Sequence, residues 1–166
     1  MKNRAHIETK EQRLARLKSN PLPEAIETLL NSIANFFNNE ISLTPDRYQT
    51  SLLFLGIHAS ALTISEAFFG KSGEEGYRLF LETFVDGDVE DRKFSRISEI
   101  LHGWRNILAH QWIGSLGHSI EYNYNMPEGW KNKQDRLVIN PKIYCECYLS
   151  AFSGNGKLWR YERLFT

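Results

Sequence analysis

The side chains best suited to chemistry lie in one short stretch, WRNILAH at positions 104–110. Arg105 brings a permanent positive charge and a planar fork of N–H donors that matches the shape of a phosphate group. Histidine, present as His110, is the residue type whose ordinary pKa lies nearest neutrality, so it can give or take a proton. An arginine and a histidine on one surface indicate phosphodiester chemistry that needs no metal ion.

The spacing of apolar residues predicts that this stretch belongs to a helix over 92–112. At ~100° per residue, one stripe of this helix collects the large apolar side chains Ile97, Leu101, Trp104, Leu108 and Trp112. Asn106 and His110 fall nearly opposite this stripe, with Gly103 beside them, and Arg105 lies at the boundary. His102 falls one turn before Asn106, on the same broad flank. The reactive side chains are therefore expected to face away from their own core, although a solvated polar face would show the same spacing.

The elements around this helix predict a mainly α fold, a bundle of about five to six helices with a small β-hairpin near the C-terminal end. Helices are expected over 6–19, 23–38, 52–69, 74–84, 92–112 and 141–152. The helix over 52–69 is apolar nearly all round and should be central, with a start signal at Thr44-Pro45-Asp46. The hairpin is expected to pair 118–124 with 136–140 across a turn-rich segment. We predict one domain over 1–166, with a helical core over 22–112 and the hairpin and last helix over 118–153.

Composition excludes a strong global field, because 20 Lys and Arg residues balance 20 Asp and Glu residues. Any surface for a polyanion must therefore be local. Only two cysteines are present, Cys145 and Cys147, and their C-x-C spacing fits neither a thioredoxin-like pair nor an ordinary zinc site. We expect reduced, partly buried thiols. The start of the chain lacks the apolar region of a signal peptide, which predicts a soluble, cytoplasmic protein without membrane contact.

The stretch LHGWRNILAH at 101–110 resembles the signature of the HEPN superfamily, small α-helical domains named for nucleotide binding in higher eukaryotes and prokaryotes. In that signature an arginine, commonly followed by a small polar residue, precedes a histidine by four to six residues late in a helix. The order of elements is also similar, with a nearly all-apolar central helix before the motif helix. The resemblance covers about residues 22–112 and rests on one short motif.

The resemblance implies a metal-independent endoribonuclease without cofactor, whose active site forms between two such domains in a homodimer. By position, the catalytic residues would be Arg105, Asn106 and His110. His110 would act as general base or acid when the ribose 2′-hydroxyl attacks the adjacent phosphate. Arg105 would stabilise charge on the phosphoryl oxygens, and Asn106 would orient its neighbours or bind the phosphate. RNA or a nucleotide is the implied partner.

Two further residues are candidates for accessory roles, and one position departs from the family. His102 lies close to the motif, and Glu66 is the one acid in the apolar helix over 52–69, where a solvated carboxylate is an equal alternative. A common subclass, toxins controlled by nucleotidyltransferase antitoxins, has a tyrosine two residues after the histidine. Trp112 stands there instead, so modification of that hydroxyl is not expected, while an antitoxin or other regulatory partner stays open.

Three hypotheses for function follow. The first is an HEPN-type ribonuclease acting in defence or stress response, such as a toxin–antitoxin pair. The second is a non-catalytic HEPN-like module that binds nucleotide, RNA or a protein partner, and the neutral net charge favours it because RNA-cutting enzymes usually gather substrate with a positive field. The third is a purely structural dimerisation domain.

Overall fold

The computed structural model describes residues 8–19, 24–36, 50–111 and 120–151, and these are mainly helical with a small sheet near the C-terminal end. The helices are α1 Lys10–Ser19, α2 Glu24–Phe36, α3 Thr50–Phe69, α4 Gly73–Phe80, α5 Ser98–Gln111 and α6 Pro141–Ser150. The strands are β1 Ile120–Tyr122, β2 Trp130–Lys133 and β3 Arg136–Ile139. The predicted fold class, a helical bundle with a small β element, is confirmed.

Helix α3 is the centre of the bundle. It contacts α2, α4, α5 and α6, and its buried side chains lie on one broad face, among them Leu53, Phe54, Ile57, Ala61, Ile64 and Phe68. Among the described residues it is the one helix long and apolar enough to cross a membrane, and half of that span is buried in the bundle. Contacts of this broad face with four other described helices account for much of the apolar composition, as in the core helix of a soluble protein. The predicted start signal at 44–46 lies outside the described residues.

Helix α1 begins later than predicted because Thr9 caps it. The Thr9 backbone N–H donates to Gln12 Oε1 at 2.9 Å, and the Gln12 N–H donates to Thr9 Oγ1 at 3.3 Å. This reciprocal pair satisfies two N–H groups at the helix start, so residues 8 and 9 precede the helix rather than belonging to it.

The segment predicted as one helix over 74–84 is helical throughout but changes type. Helix α4 continues directly into a π-helical segment, Leu81–Val85. Gly76 lies where α4 crosses the preceding turn, and a Cβ there would sit 2.5 Å from the Lys71 carbonyl oxygen. Only glycine permits this close approach.

The predicted helix over 92–112 is wrong in its first part, because α5 begins at Ser98. Two 3-10 segments, Glu90–Arg92 and Phe94–Ile97, precede it. The buried Asp86 carboxylate accepts hydrogen bonds from the Ser95 N–H at 3.1 Å and from Ser95 Oγ at 2.5 Å. These bonds hold the N-terminal end of the segment Phe94–Ile97, whose 3-10 turn is tighter than that of an α-helix. Position 112, the predicted end of the helix, lies outside the described residues.

The sheet corrects the predicted hairpin. Strands β1 and β3 do pair, but in parallel, with Ile120 opposite Leu137 and Tyr122 opposite Ile139. The hairpin is formed by β2 and β3, giving the strand order β1-β3-β2. Strand β2 lies inside the segment that was predicted to be a turn. The sequence did not indicate a strand there because the residues of β2 other than Trp130 are polar, and the structure shows that they are exposed. Gln134 closes the hairpin with a φ of +56°.

Aromatic rings join the sheet to the bundle. The Phe54 ring stacks between Tyr122 and Tyr144, with centroids 5.4 and 5.3 Å apart. Tyr148 is also fully buried, and its hydroxyl lies 2.6 Å from Ser60 Oγ. These tyrosines therefore pack in the core between the sheet and the helices.

Both cysteines lie on α6 and are free. Cys145 is buried and Cys147 is half-buried, as expected for partly buried thiols. Burial raises the pKa of the Cys145 thiol to about 11, so this side chain stays protonated at neutral pH and is a weak nucleophile.

Candidate functional site

The apolar stripe of α5 fixes the orientation of the candidate motif. Ile97, Leu101, Trp104 and Leu108 are all buried, as the predicted helical spacing requires. Trp104 Nε1 also donates a hydrogen bond of 2.6 Å to the Tyr122 hydroxyl. The helix is therefore held against both the bundle and β1, and it cannot rotate without breaking that bond.

Arg105 and Asn106 form a bonded pair on the polar side of α5. Arg105 Nη1 donates to Asn106 Oδ1 at 2.8 Å, and both side chains are half-buried. Asn106 is thus less exposed than a position opposite the core stripe would be. The bond orients the guanidinium, and among the described residues no other hydrogen bond occupies the remaining four N–H donors of Arg105 or the two of the Asn106 amide. Such a set of donors matches the oxygens of a phosphate.

The backbone of α5 places His110 one turn after Asn106. The described part of the structure ends, for side chains in this helix, at Ala109, so the contacts of the His110 imidazole lie outside it. Gly103 and Ala109 are exposed on the same helix. In the single chain, a Cβ added at Gly103 would meet no atom within 4 Å.

His102 is turned toward α3 rather than outward with Asn106. Its Nδ1 lies 3.0 Å from His58 Nε2, and the two rings are 5.0 Å apart. The position follows Leu101, a core residue, by ~100°, so the side chain lies at the edge of the stripe and reaches the neighbouring helix. Its accessory role stays a prediction.

His58 is a buried histidine with one bonded nitrogen. Its ring lies 4.3 Å from the Tyr77 ring, and its Nδ1 has no hydrogen-bond partner within the described residues. A buried N–H without an acceptor is costlier than a bare ring nitrogen, which favours the tautomer in which His58 Nε2–H donates to His102. His102 then carries its own proton on Nε2.

The surroundings of His58 keep it neutral. Burial is the main cause, and electrostatic interactions with His102 and Arg105 that disfavour a charged His58 add to it, lowering the pKa of His58 to about 3. Arg105 is therefore electrostatically coupled to the interior of the bundle, even though its guanidinium is on the polar side of α5.

We expect the low pKa of His58 to make the fold less stable in mild acid. The unfolded chain takes up a proton near pH 6.5 whereas folded His58 does not, so stability is full above that pH and falls as pH decreases toward the folded pKa of about 3. The loss at pH 5 is about 2 kcal/mol. Urea unfolding at pH 5.0, 6.0 and 7.5 measures it.

His58→Leu is the matched variant for this measurement, since it removes the titrating group and keeps an apolar side chain in the core. Its stability should change little between pH 7.5 and 5.0. Exposed carboxylates with lowered pKa, such as Glu8 and Glu90, change the stability of the fold only below about pH 4.5. They therefore do not affect the comparison between pH 7.5 and 5.0. An equal loss in the variant and the parent chain would contradict the assignment to His58.

Glu66 is not brought to this site by the described contacts. It is exposed on α3, eight residues beyond His58, which is about 12 Å along the helix axis. No hydrogen bond or ion pair joins it to the described residues of α5. Its accessory role also stays a prediction, and solvation is the interpretation that this exposure favours.

Comparison with protein-family models, with curated proteins and with solved structures finds no match for this chain. The function is therefore argued from α5 and the side chains around it.

Proposed function

We propose that this chain is a metal-independent endoribonuclease of the HEPN type, acting as a homodimer in the cytoplasm. The observation that carries the proposal is the bonded pair of Arg105 and Asn106 on the polar side of α5, one turn before His110. The buried stripe on the other side of the helix leaves this pair available to a substrate. The order of a central apolar α3 followed by a motif helix is a second support.

The proposed reaction is transesterification at a phosphodiester of RNA. The 2′-oxygen forms a bond to the adjacent phosphorus while the bond from phosphorus to the 5′-oxygen breaks. His110 takes the proton of the 2′-hydroxyl or supplies a proton to the leaving 5′-oxygen. Arg105 donates to the phosphoryl oxygens as their charge increases, and the Asn106 amide donates beside it. The products are a 2′,3′-cyclic phosphate and a 5′-hydroxyl.

A homodimer is proposed because the motif side of α5 carries small exposed residues. Gly103 and Ala109 would let a second helix approach closely, which would bring two copies of the motif together. A composite site of this kind supplies two proton-transfer groups to one phosphate, whereas each chain has a single motif histidine.

Gly103→Ala is expected to act in opposite directions on the fold and on the dimer. In the single chain the new methyl group meets no atom of the described residues within 4 Å, and a helix interior gains about 0.5–1 kcal/mol when alanine replaces glycine. If a partner helix packs here, the same methyl group weakens association. Thermal unfolding measures the first effect and analytical ultracentrifugation the second. Unchanged dimerisation would place the interface elsewhere.

The test of the proposed activity is incubation of the purified chain with mixed RNA in EDTA, followed by analysis of the fragment ends. We expect 2′,3′-cyclic phosphate ends from the parent chain and none from His110→Ala. Circular dichroism and ultracentrifugation check that the variant keeps its fold and dimer. Fragments with other ends, or cleavage that persists in the variant, would contradict the proposal.

The alternative is a non-catalytic module that binds nucleotide, RNA or a protein partner. The balanced charge of the chain favours it, because no global field gathers RNA. In that case a well-folded chain binds RNA or nucleotide but leaves RNA intact. An antitoxin or other regulatory partner is compatible with either function, and Trp112 offers no hydroxyl for its control.

A further inference from the structure

A second polar site lies at the end of the molecule where α1 and α5 begin. It is a cleft of about 540 Å³ between the start of α1, the π-helical extension of α4 and the 3-10 segments before α5. This volume is within the range of about 300–1,000 Å³ that small-molecule sites occupy. Four cationic side chains line it: Lys10, Arg78, Lys93 and Arg96.

The two carboxylates in the cleft already have partners on the protein. Glu82 Oε2 lies 3.4 Å from Arg13 Nη2 and 3.5 Å from Arg78 Nη1. Asp86 is buried and accepts hydrogen bonds from the N–H and the hydroxyl of Ser95. Ser95 stabilises the Asp86 carboxylate without cancelling its charge, so the four cations and two carboxylates that line the cleft leave it a net charge of +2.

Among the described residues, the two cations on the other side of the cleft pair with a single exposed acid. Lys93 Nζ is 2.9 Å and Arg96 Nε is 3.4 Å from the carboxylate of Glu90, which lies outside the cleft and is 61% exposed. Exposed ion pairs of this kind contribute little, so a multiply charged ligand can replace Glu90 at modest cost. Lys10 has no ion-pair partner among the described residues.

We propose that this cleft binds a small ligand carrying two or more linked phosphate groups, such as inorganic triphosphate or the triphosphate part of a nucleotide. Cations contributed by α1, α4 and the 3-10 segments surround one cavity, which suits an extended polyanion better than a single carboxylate. No aromatic side chain is among its described lining residues, so the phosphates rather than a base make the contacts. The chain is neutral overall, and this concentration of cations is therefore local.

The test is titration of the full chain with inorganic triphosphate by isothermal calorimetry, comparing Lys10→Ala/Arg96→Ala with the parent. We expect the double variant to bind about 100-fold more weakly, about tenfold for each lost charge-assisted contact. Lys131→Ala/Lys133→Ala is the matched control. It removes the same charge from exposed positions on β2, one of them paired with Glu128, and should bind like the parent.

Two further arms decide the source of the phosphates and separate this proposal from the ribonuclease. A single-stranded RNA with a 5′-hydroxyl should bind the parent and the double variant equally. If the RNA loses affinity in the variant while triphosphate does not bind, the cleft is an RNA surface and the proposal is wrong. It is also wrong if the β2 control loses as much affinity. Titration of His110→Ala should match the parent whether or not the chain cleaves RNA.

Discussion

Arg105→Ala should lower the rate of RNA cleavage by about a thousandfold. The guanidinium is oriented by its bond to Asn106, and an oriented donor to a developing oxyanion is worth about 10²–10³ in kcat, with the lost positive charge adding to this. Arg105→Lys keeps the charge and loses the planar fork, so its cleavage rate should lie between those of the parent and the alanine variant. Single-turnover cleavage of a labelled RNA measures all three.

Arg136→Ala is the matched control, since it removes the same charge from an exposed position on β3. Its cleavage rate should stay within about twofold of the parent, because an exposed charge away from the motif acts only through screened long-range attraction. A thousandfold loss in this variant as well would assign the effect to general RNA attraction rather than to the motif.

Arg105→Ala also has a readout that does not depend on activity. Its positive charge contributes to the lowered pKa of His58, so the variant should raise that pKa and reduce the loss of stability between pH 7.5 and 5.0. An unchanged loss would mean that Arg105 and His58 are not coupled.

Asn140→Ala should have the largest effect on folding, a loss of about 3–4 kcal/mol in the free energy of unfolding. The buried Asn140 Oδ1 caps α6 by accepting from the N–H groups of Lys142 and Ile143. Its Nδ2 donates to the carbonyl oxygens of Tyr124 and Met126, at 3.3 and 2.8 Å. Loss of a cap costs about 0.5–2 kcal/mol, and each buried carbonyl left without a donor costs about 1–3 kcal/mol.

Asn140→Asp separates the two roles in the same urea-unfolding experiment. The new carboxyl keeps the cap but faces two carbonyl oxygens, so its pKa should be raised in the folded chain. The variant should therefore recover stability as the pH falls, when the protonated carboxyl can donate. Equal losses for both variants at every pH would show that the cap contributes little and that the Nδ2 bonds carry the effect, whereas no loss in Asn140→Asp would show that only the cap matters.

The helices and the orientation of α5 could be predicted because their signals are local. The stripe from Ile97 to Leu108 repeats at helical spacing, and a stripe of that kind must face a core whatever its partner is. The start of α5 was predicted too early because Asp86, nine residues before Ser95, tightens the intervening turn. Side-chain bonds of that range leave no periodic pattern in the sequence.

The sheet and the histidine pair could not be predicted, since each depends on contacts between distant segments. Parallel pairing of β1 with β3 requires that the intervening β2 lies on the opposite side of β3 from β1. Strand β2 itself has few apolar residues that would indicate a strand. His58 and His102 are 44 residues apart and meet only once α3 and α5 pack. A histidine in the middle of an apolar helix was the one hint that a polar partner lies nearby.

The composition of β2 also limits how copies of this chain can associate. It pairs with β3 on one side, and among the described residues no strand pairs with its other side, which is an edge of the sheet. Lys131 and Lys133 are exposed along it, and like charges on an edge strand oppose the addition of a further strand from another molecule. The edge is thus protected against fibril-like growth, and the proposed dimer would have to form through another surface, such as the side of α5 that carries Gly103 and Ala109.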